Sequence, residues 1–477
     1  MSTRPLRICL VAFNAYPAVN PSVGGQVGGT ETRAWLLARQ LAKQSDLEVS
    51  LAVRTTGPVA PTVVEGVRIV GLRDRFYRLR EAVGGFALRR AGFPWITLHR
   101  WSPSLLWQVP LLASARWFEA RPTDPRLPMP FFNQIEADLF CCFGNQATAA
   151  TVIASAHATG RPVVLCLGSD DDLNAGYTSN SRERNPYGDL GSTCYFSLME
   201  SDAVLTQTPE QSEMLRERFG RAGVLVPNPI DLAEWDSRAD EALPPELHAG
   251  LDRFVLWMGR AEKIHKRPQV LLEMARLCPE VPFLMLLNPR DPAVDAEIRR
   301  SAPSNVRIVT QVPFPLMPAL FRKAMAYINT SSLEGFPNAF LQAAASRVPI
   351  VSTDVGQSFL DQSQAGVFVD GDWQRGADVL TQWMNSPELP APLGVQGRSF
   401  IEQQHAIGPV TARFAEVLRS VARGDTGSIA LDPTGAALPK GFPRQRSMGG
   451  GESSLSRRDF GTDHKHNSSN DQCLVNA

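Results

Sequence analysis

The chain has 477 residues, and its 48 Lys plus Arg are balanced by 48 Asp plus Glu. No global field therefore draws it to nucleic acid, which is excluded as a partner, or to an anionic surface, where any attraction must be local. Its 43% hydrophobic content suffices for two or three domains with real cores. The first apolar run, Ile8 to Phe13, is too short for a signal-peptide core or a membrane span, and no later stretch is long enough to cross a bilayer. Cys9, Cys141, Cys142, Cys166, Cys194, Cys278 and Cys473 show neither a C-x-x-C pair nor metal spacing. Most sit in strand-like runs, as reduced core cysteines of a cytoplasmic protein do.

RICLVAF, residues 7–13, is nearly continuous in apolar residues, the pattern of a strand buried on both faces of a parallel sheet. A glycine-rich loop follows, with Gly24, Gly25, Gly28 and Gly29 just ahead of a helical pattern over 30–43, and 48–53 reads as the next strand. This is a βαβ opening. A loop so free of side chains is either a merely flexible connection or a place where a ligand approaches the amides at a helix start. Residues 73–130 break the alternation and interleave arginines with Phe, Tyr and Trp. They predict an insertion packed on the first domain, or a surface that touches an anionic membrane face or a large acceptor. Strand patterns return at 137–143 and 162–167, with a helix over 147–158 between them.

The second of these strands runs into GSDDDLNAGY. Ligand contacts in open α/β sheets gather at the carboxyl ends of strands, which makes Ser169, Asp170 and Asp171 candidates. Three adjacent Asp fit a divalent cation or a helix start; neighbouring side chains diverge, so no metal site is assigned. A strand at 203–207, a helix to about 218 and a short strand at 224–227 complete the first domain, and the acidic stretch 232–252 reads as a linker.

FVLWM, residues 254–258, opens a second unit of the same kind, with Arg260 and Lys266 in the loop after its first strand and a helix over 269–277. Cations there can neutralise a diphosphate as charge develops on it. Further strands are expected at 282–287, 305–309, 326–329 and 349–352, and a last helix over 407–421. From Gly424 the chain is rich in Gly, Ser, Pro and Asn, including His464 and His466, and predicts a disordered tail. The second unit contains SSLEGFPNAFLQAAASRVPIVSTDVG, residues 331–356. Glu334 stands before a helix that Asn338 is placed to cap, and a helix mouth favours phosphate. If the helix ran through, Gln342 would lie two turns and roughly 12 Å beyond Glu334. Two such handles suit a long ligand with polar ends, such as a nucleotide-sugar.

VGGTE after the first strand, ESDAVLTQTPEQ, VPNPID, MGRAEKIHKRP and SSLEGFPNAFLQAAASRVPIVST, in that order, resemble the retaining GT-B glycosyltransferases of family 4 over most of residues 5–422. The resemblance implies an α/β, GT-B fold: an N-terminal Rossmann-like acceptor domain (1–230, insertion about 73–130) facing a nucleotide-sugar domain (231–404), then a closing helix (405–422) and the tail (423–477). It implies that Gly28 and Gly29 approach the donor diphosphate or the acceptor, that Arg260 and Lys266 bind the diphosphate, and that Glu334 contacts the donor sugar. The amides of Gly335, Phe336, Pro337's neighbour Asn338 and Ala339 would meet the phosphates.

Two departures from the family pattern stand out. Gln342 replaces a Glu that holds the ribose hydroxyls, and an amide accepts such a bond more weakly. LGSDDD replaces a strand-end His, leaving Asp170 for that role or no side chain at all. The implied activity is metal- and cofactor-free transfer of a sugar, with retention, to a glycan, lipid-linked or small-molecule acceptor, in the cytoplasm or at the membrane's inner face. The alternative is a nucleotide-sugar-binding protein without catalysis. A Rossmann oxidoreductase ranks below both, since neither half shows G-x-G-x-x-G with its acidic partner.

Overall fold

The computed structural model describes residues 4–20, 22–23, 28–59, 61–84, 86–89, 96–98, 101–115, 124–185, 188–248 and 250–425. Gly24, Gly25, Cys473, both tail histidines and the tail from residue 426 lie outside them.

The first domain runs β1 (Leu6–Val11), α1 (Gly29–Leu41), β2 (Leu47–Thr55), β3 (Val63–Val64), β4 (Val67–Arg73), α2 (Tyr77–Gly84), β5 (Ala87–Arg89), β6 (Ile96–Leu98) and α3 (Leu105–Ala115). It continues with β7 (Leu139–Phe143), α4 (Ala147–His157), β8 (Val163–Cys166), β9 (Ala203–Thr206), α5 (Pro209–Phe219) and β10 (Val224–Leu225). Eight of these strands form one sheet in the order β10-β9-β8-β7-β1-β2-β4-β3, parallel except at β3. The apolar run of β1 is explained by its place in the middle of this sheet. Ile8 and Leu10 point to the side covered by Leu37 and Leu41 of α1, while Cys9 and Val11 point to the side covered by Phe132, Phe140 and Val152. In the insertion, β5 and β6 pair as a small antiparallel hairpin and α2 packs against α3.

The second domain runs α6 (Leu232–Ser237), β11 (Phe254–Arg260), α7 (Pro268–Leu277), β12 (Phe283–Asn288), β13 (Val306–Val309), β14 (Ala324–Asn329), α8 (Asn338–Ala345), β15 (Ile350–Ser352), β16 (Gly366–Phe368), α9 (Trp373–Asn385) and α10 (Ala391–Gln404). Its parallel sheet has the order β13-β12-β11-β14-β15-β16. Along β11, Phe254 and Leu256 meet Phe321 and Phe340 on one face, and Val255 and Trp257 meet Leu271 and Met274 on the other.

The stretch expected to be a linker departs from that expectation. It begins with α6, whose Trp235 is buried against Phe321 and donates from Nε1 to Ser346 Oγ at 2.9 Å. An indole with both a packed face and a satisfied N–H outweighs the acidic composition around it.

The chain passes between the domains at residues 226–231 and again at 404–407. The two passes lie side by side: Ile230 N–H donates to His405 O at 2.8 Å and Ile407 N–H to Ile230 O at 3.0 Å. The last helix, α11 (Ile407–Ala422), then packs back onto the first domain, burying Phe414, Leu418 and Val421 with Leu37 and Leu41 of α1. Among the described residues no helix is long and apolar enough to cross a membrane.

Phe414 is fully buried at that return contact. Phe414→Ala should lower the unfolding free energy by about 3–5 kcal/mol, the range for truncating a core aromatic. Urea unfolding followed by circular dichroism checks this, and a loss below about 1 kcal/mol would show that α11 is not part of the first core.

Candidate active site between the domains

The glycines on both sides of the cleft are where the domains touch. Gly28 is the N-cap of α1 and Gly29 its first residue. A Cβ added to Gly29 would lie 2.1 Å from Asn338 Nδ2 of the second domain. A Cβ on Gly335 would lie 2.6 Å from Ser169 Cα and 2.9 Å from Gln211 Nε2 of the first. The Gly335 contact is with backbone, which cannot swing away as a side chain can. The structure therefore brings Gly28, Gly29, Gly335, Asn338 and the Ser169–Asp170 turn together in one closed cleft.

On the second domain, the loop before α8 is stitched to the loop after β11. Ser332 N–H donates to His265 O at 2.9 Å, and Ser332 Oγ donates to Ile264 O at 2.6 Å. Glu334 accepts from Ser331 Oγ at 2.6 Å and forms an ion pair with Lys266. Lys266 is thus matched by a carboxylate at the site, and Arg260 Nη2 lies 3.3 Å from Glu262 Oε1. Lys266 is thereby held at the loop before α8, while Arg260 is paired within its own loop. Arg267, which carried no signal in the sequence, anchors the same loop. It adopts φ 48°, donates from Nε to Thr330 O at 2.7 Å and pairs with Asp354.

Two expectations about this loop are corrected. Pro337, not Asn338, occupies the N-cap position, and Asn338 is the first helical residue. Its Oδ1 accepts from Asn228 Nδ2 at 2.9 Å, so a partner in the other direction has claimed the cap. No side chain caps the first turn of α8, which leaves its amides, including that of Ala339, to the cleft side. Because α8 starts only at Asn338, the spacing from Glu334 to Gln342 is not a helical rise of two turns. Gln342 lies one turn into the helix, and its Oε1 is buried without a hydrogen-bond partner. Phe336 is buried and stacks on His405 with ring centroids 5.4 Å apart.

On the first domain, β8 ends in a single 3-10 turn, Asp170–Leu173. Ser169 and Asp172 form a capping box, and Asp172 also accepts from Gly168 N–H at 2.6 Å. Asp172 is spent on holding the turn. Burial pushes its carboxyl up to about 6, against the pull of the backbone donors. Burial likewise raises Asp170 to about 6; Gln211, donating from Nε2 to Asp170 Oδ1 at 2.9 Å, opposes the shift, and Glu210, Asp171 and Asp172 add to it. Asp170 and Asp171 line an open cavity of about 280 Å³ with Asn174, Met214 and Arg218, and Leu333 of the second domain also lines it. Among the described residues no three His, Cys, Asp or Glu are grouped to hold a metal.

Two residues that sequence reasoning passed over lie under the site. Arg33 of α1 is buried and donates to Leu167 O at 3.1 Å and Val226 O at 3.0 Å; burial lowers its pKa. His405 is buried in the second pass, 2.7 Å from Asn228 O through Nδ1, and burial drives its pKa down to about 4. A single Arg or His in a helical pattern has no distinguishing signature; only the tertiary partners give these two a role.

Residues 252–386 match the family described as Glycosyl transferases group 1. No curated protein sequence matches the chain. Among solved structures, the HepE protein of Anabaena in complex with UDP and glucose is 14% identical over 87% of this chain and 100% of that one, with a TM-score of 0.58. Sucrose-phosphate synthase from Thermosynechococcus elongatus is 18% identical over 88% and 100%, with a TM-score of 0.63. The trehalose 6-phosphate synthase of Burkholderia multivorans is 14% identical over 89% and 100%, with a TM-score of 0.57. At these identities the likeness is one of fold. The architecture is GT-B, and its second domain carries the glycosyl transferases group 1 match, the combination of a glycosyltransferase.

Proposed function

We propose that the protein is a retaining, family 4 glycosyltransferase that moves a sugar from a nucleotide-sugar to a glycan, lipid-linked or small-molecule acceptor. The observation that carries this is the convergence, in one closed cleft, of the Glu334–Asn338 helix mouth with Gly28, Gly29 and the Ser169–Asp170 turn. The diphosphate would lie at the uncapped start of α8, with Lys266 and Arg260 beside it. Gln342 Oε1, buried and without a hydrogen-bond partner, supports this reading as an acceptor that a ribose hydroxyl would satisfy. HepE's complexes hold UDP and UDP-glucose, so a uridine nucleotide is the first donor to try.

In the resting site Lys266 and Glu334 neutralise each other. An arriving diphosphate competes for the ammonium and releases Glu334 oxygens to accept from sugar hydroxyls. As the bond from the anomeric carbon to the phosphate oxygen breaks, negative charge grows on the phosphate, where Lys266 and Arg260 stabilise it. The acceptor oxygen bonds the same face of that carbon and its proton passes to the departing phosphate, so no protein base and no metal is required. Asp170 would orient the acceptor hydroxyl rather than remove its proton.

The rival, a nucleotide-sugar binder, is motivated by Gln342 and by the missing strand-end His. It differs in one outcome: saturable binding with no nucleotide released from any of a panel of UDP-, GDP- and ADP-sugars.

The acceptor side of the same reading includes contact with an anionic membrane face. Helix α3 buries Leu105 and Gln108 but leaves Leu106 (73% exposed), Trp107 (57%) and Leu111 (42%) facing out, and Trp101 ahead of it is also exposed (65%). Between residues 73 and 115 the sequence holds seven Arg and two carboxylates, and Arg73, Arg75 and Arg78 are exposed. Apolar side chains rimmed by guanidinium groups suit anionic lipid.

Three outcomes test this reading. Lys266→Ala and Arg260→Ala should each lower kcat/KM by about 100-fold or more, with the fold intact by circular dichroism; near-normal rates in both would remove the assignment. Trp107→Glu with Leu111→Glu should abolish co-sedimentation with phosphatidylglycerol vesicles, which should itself weaken with salt; sedimentation indifferent to either change would remove the membrane contact. Asp170 has a folded pKa above its unfolded value, so its stabilising contribution is complete below about 3.8 and is lost as pH rises through about 6. Asp170→Asn should therefore raise the melting temperature at pH 8 and leave it unchanged at pH 3.5, as thermal melts at the two pH values will show.

A further inference from the structure

We propose that Asn228 and His405 form a latch at the hinge that fixes the closed position of the two domains, and that both are positioning residues for the donor loop. The two chain passes are the parts that must flex if the cleft opens, since a hinge concentrates its dihedral changes in a few connecting residues. Asn228 sits in the first pass and His405 in the second.

Asn228 Nδ2 has two hydrogens and two acceptors, one from each domain. One is Gln207 Oε1 at 3.1 Å, at the end of β9; the other is Asn338 Oδ1 at 2.9 Å, the first residue of α8. Its own Oδ1 is buried without a donor. A buried carbonyl oxygen left without a donor is a cost, and turning the amide over would face oxygen against two oxygens, so the side chain is held for what its N–H groups join. His405 secures the other end of the residue: Nδ1–H donates to Asn228 O at 2.7 Å while the ring lies flat on Phe336 at an interplanar angle of 28°. Phe359 and Phe400 meet the same ring. The histidine thus touches both the hinge backbone and the loop that carries Glu334 and Gly335.

On the first domain the contacts continue to the acceptor side. Gln207 N–H donates to Gln211 Oε1 at 2.9 Å, and Gln211 Nε2 donates to Asp170. Rotation of one domain away from the other must therefore break an Asn228 bond, to Gln207 on the first domain or to Asn338 on the second, while His405 stays packed on Phe336, Phe359 and Phe400 of the second. Closing restores that bond, and with it the approach of Gly335 to Ser169. The bearing of the latch on turnover rests on the glycosyltransferase reading; its existence as a domain clamp does not.

The test uses the full chain with Cys473→Ser, in which the six described cysteines are buried. Glu217→Cys on α5 and Glu388→Cys ahead of α10, both exposed, carry spin labels, and pulsed electron paramagnetic resonance reads the distance between domains without ligand and with UDP. Asn228→Ala should shift the ligand-free distribution to longer distances or broaden it, and His405→Phe, which keeps a ring on Phe336 but loses the hydrogen bond, should do so to a smaller degree. A variant that melts earlier yet keeps the wild-type distribution well below its melting temperature overturns the proposal, because that residue is then structural only. Should Asn228→Ala not fold, Gln207→Ala removes the first-domain partner and is judged by the same two outcomes. UDP that fails to bind the wild type counts against the donor assignment alone, since the ligand-free distances stand by themselves.

Discussion

The site depends on the approach of Gly335 to Ser169. Each half of the cleft is built by its own sheet, and neither half holds both the helix mouth of α8 and the acidic turn after β8. A methyl group at residue 335 would fall inside contact distance of the Ser169 backbone, so glycine there is a requirement of closure and not of local φ. Around that contact the other polar groups have their positions determined: Asn338 turned toward Asn228, Gln211 held between Gln207 and Asp170, and Glu334 held by Ser331 and Lys266.

Electrostatics in the cleft follow from what closure buries. Lys266 and Glu334 are partly buried as a pair, which is tolerable where a lone charge is not. Arg33 has two carbonyl dipoles in place of a counterion, and its lowered pKa records that poorer solvation. The two raised carboxyls, Asp170 and Asp172, and the lowered His405 have the same cause but opposite consequences with pH. Burial disfavours the charged form in each, so the carboxylates weaken the fold as pH rises through about 6, whereas His405 weakens it as pH falls from its unfolded value near 6.5 toward about 4. The folded state is pressed from both sides.

Much of this was legible before the fold was known, because the strongest signals are local. Continuous apolar runs such as 7–13 and 254–258, short and bounded by loops, read as central parallel strands, and the loops after them are where the glycines and cations stand. What was not legible was set by tertiary partners. Asn338 looks like a cap because Asn caps helices, yet Asn228, 110 residues earlier, takes its oxygen. Trp235 makes a helix out of an acidic, Pro-flanked stretch by finding Phe321 and Ser346. Strands β4 and β16 and helices α9 and α10 went unread, and β16 has only three residues, one of them a glycine over whose Cα the Ile350 carbonyl closes. His405 is the clearest case: nothing within its own helix-to-helix junction distinguishes it, and the residues it hydrogen-bonds and stacks on, Asn228 and Phe336, are 177 and 69 residues away.

That distance has a physical meaning for how such a fold can work. The two sheets have separate cores, so each domain keeps its shape whether the cleft is open or closed, and the cost of moving falls on the few contacts that span it. A spanning set made of one backbone approach, one shared amide and the ion pair of Arg39 on α1 with Glu234 on α6 is small compared with either core. It is therefore within reach of a ligand's binding energy, since a ligand shifts such an equilibrium only by its difference in affinity for the two states. Contacts that a diphosphate makes with α8 on one side and with the Gly28–Gly29 turn on the other would add to the same difference. The closed geometry is consequently one that a bound donor can reinforce without having to create it.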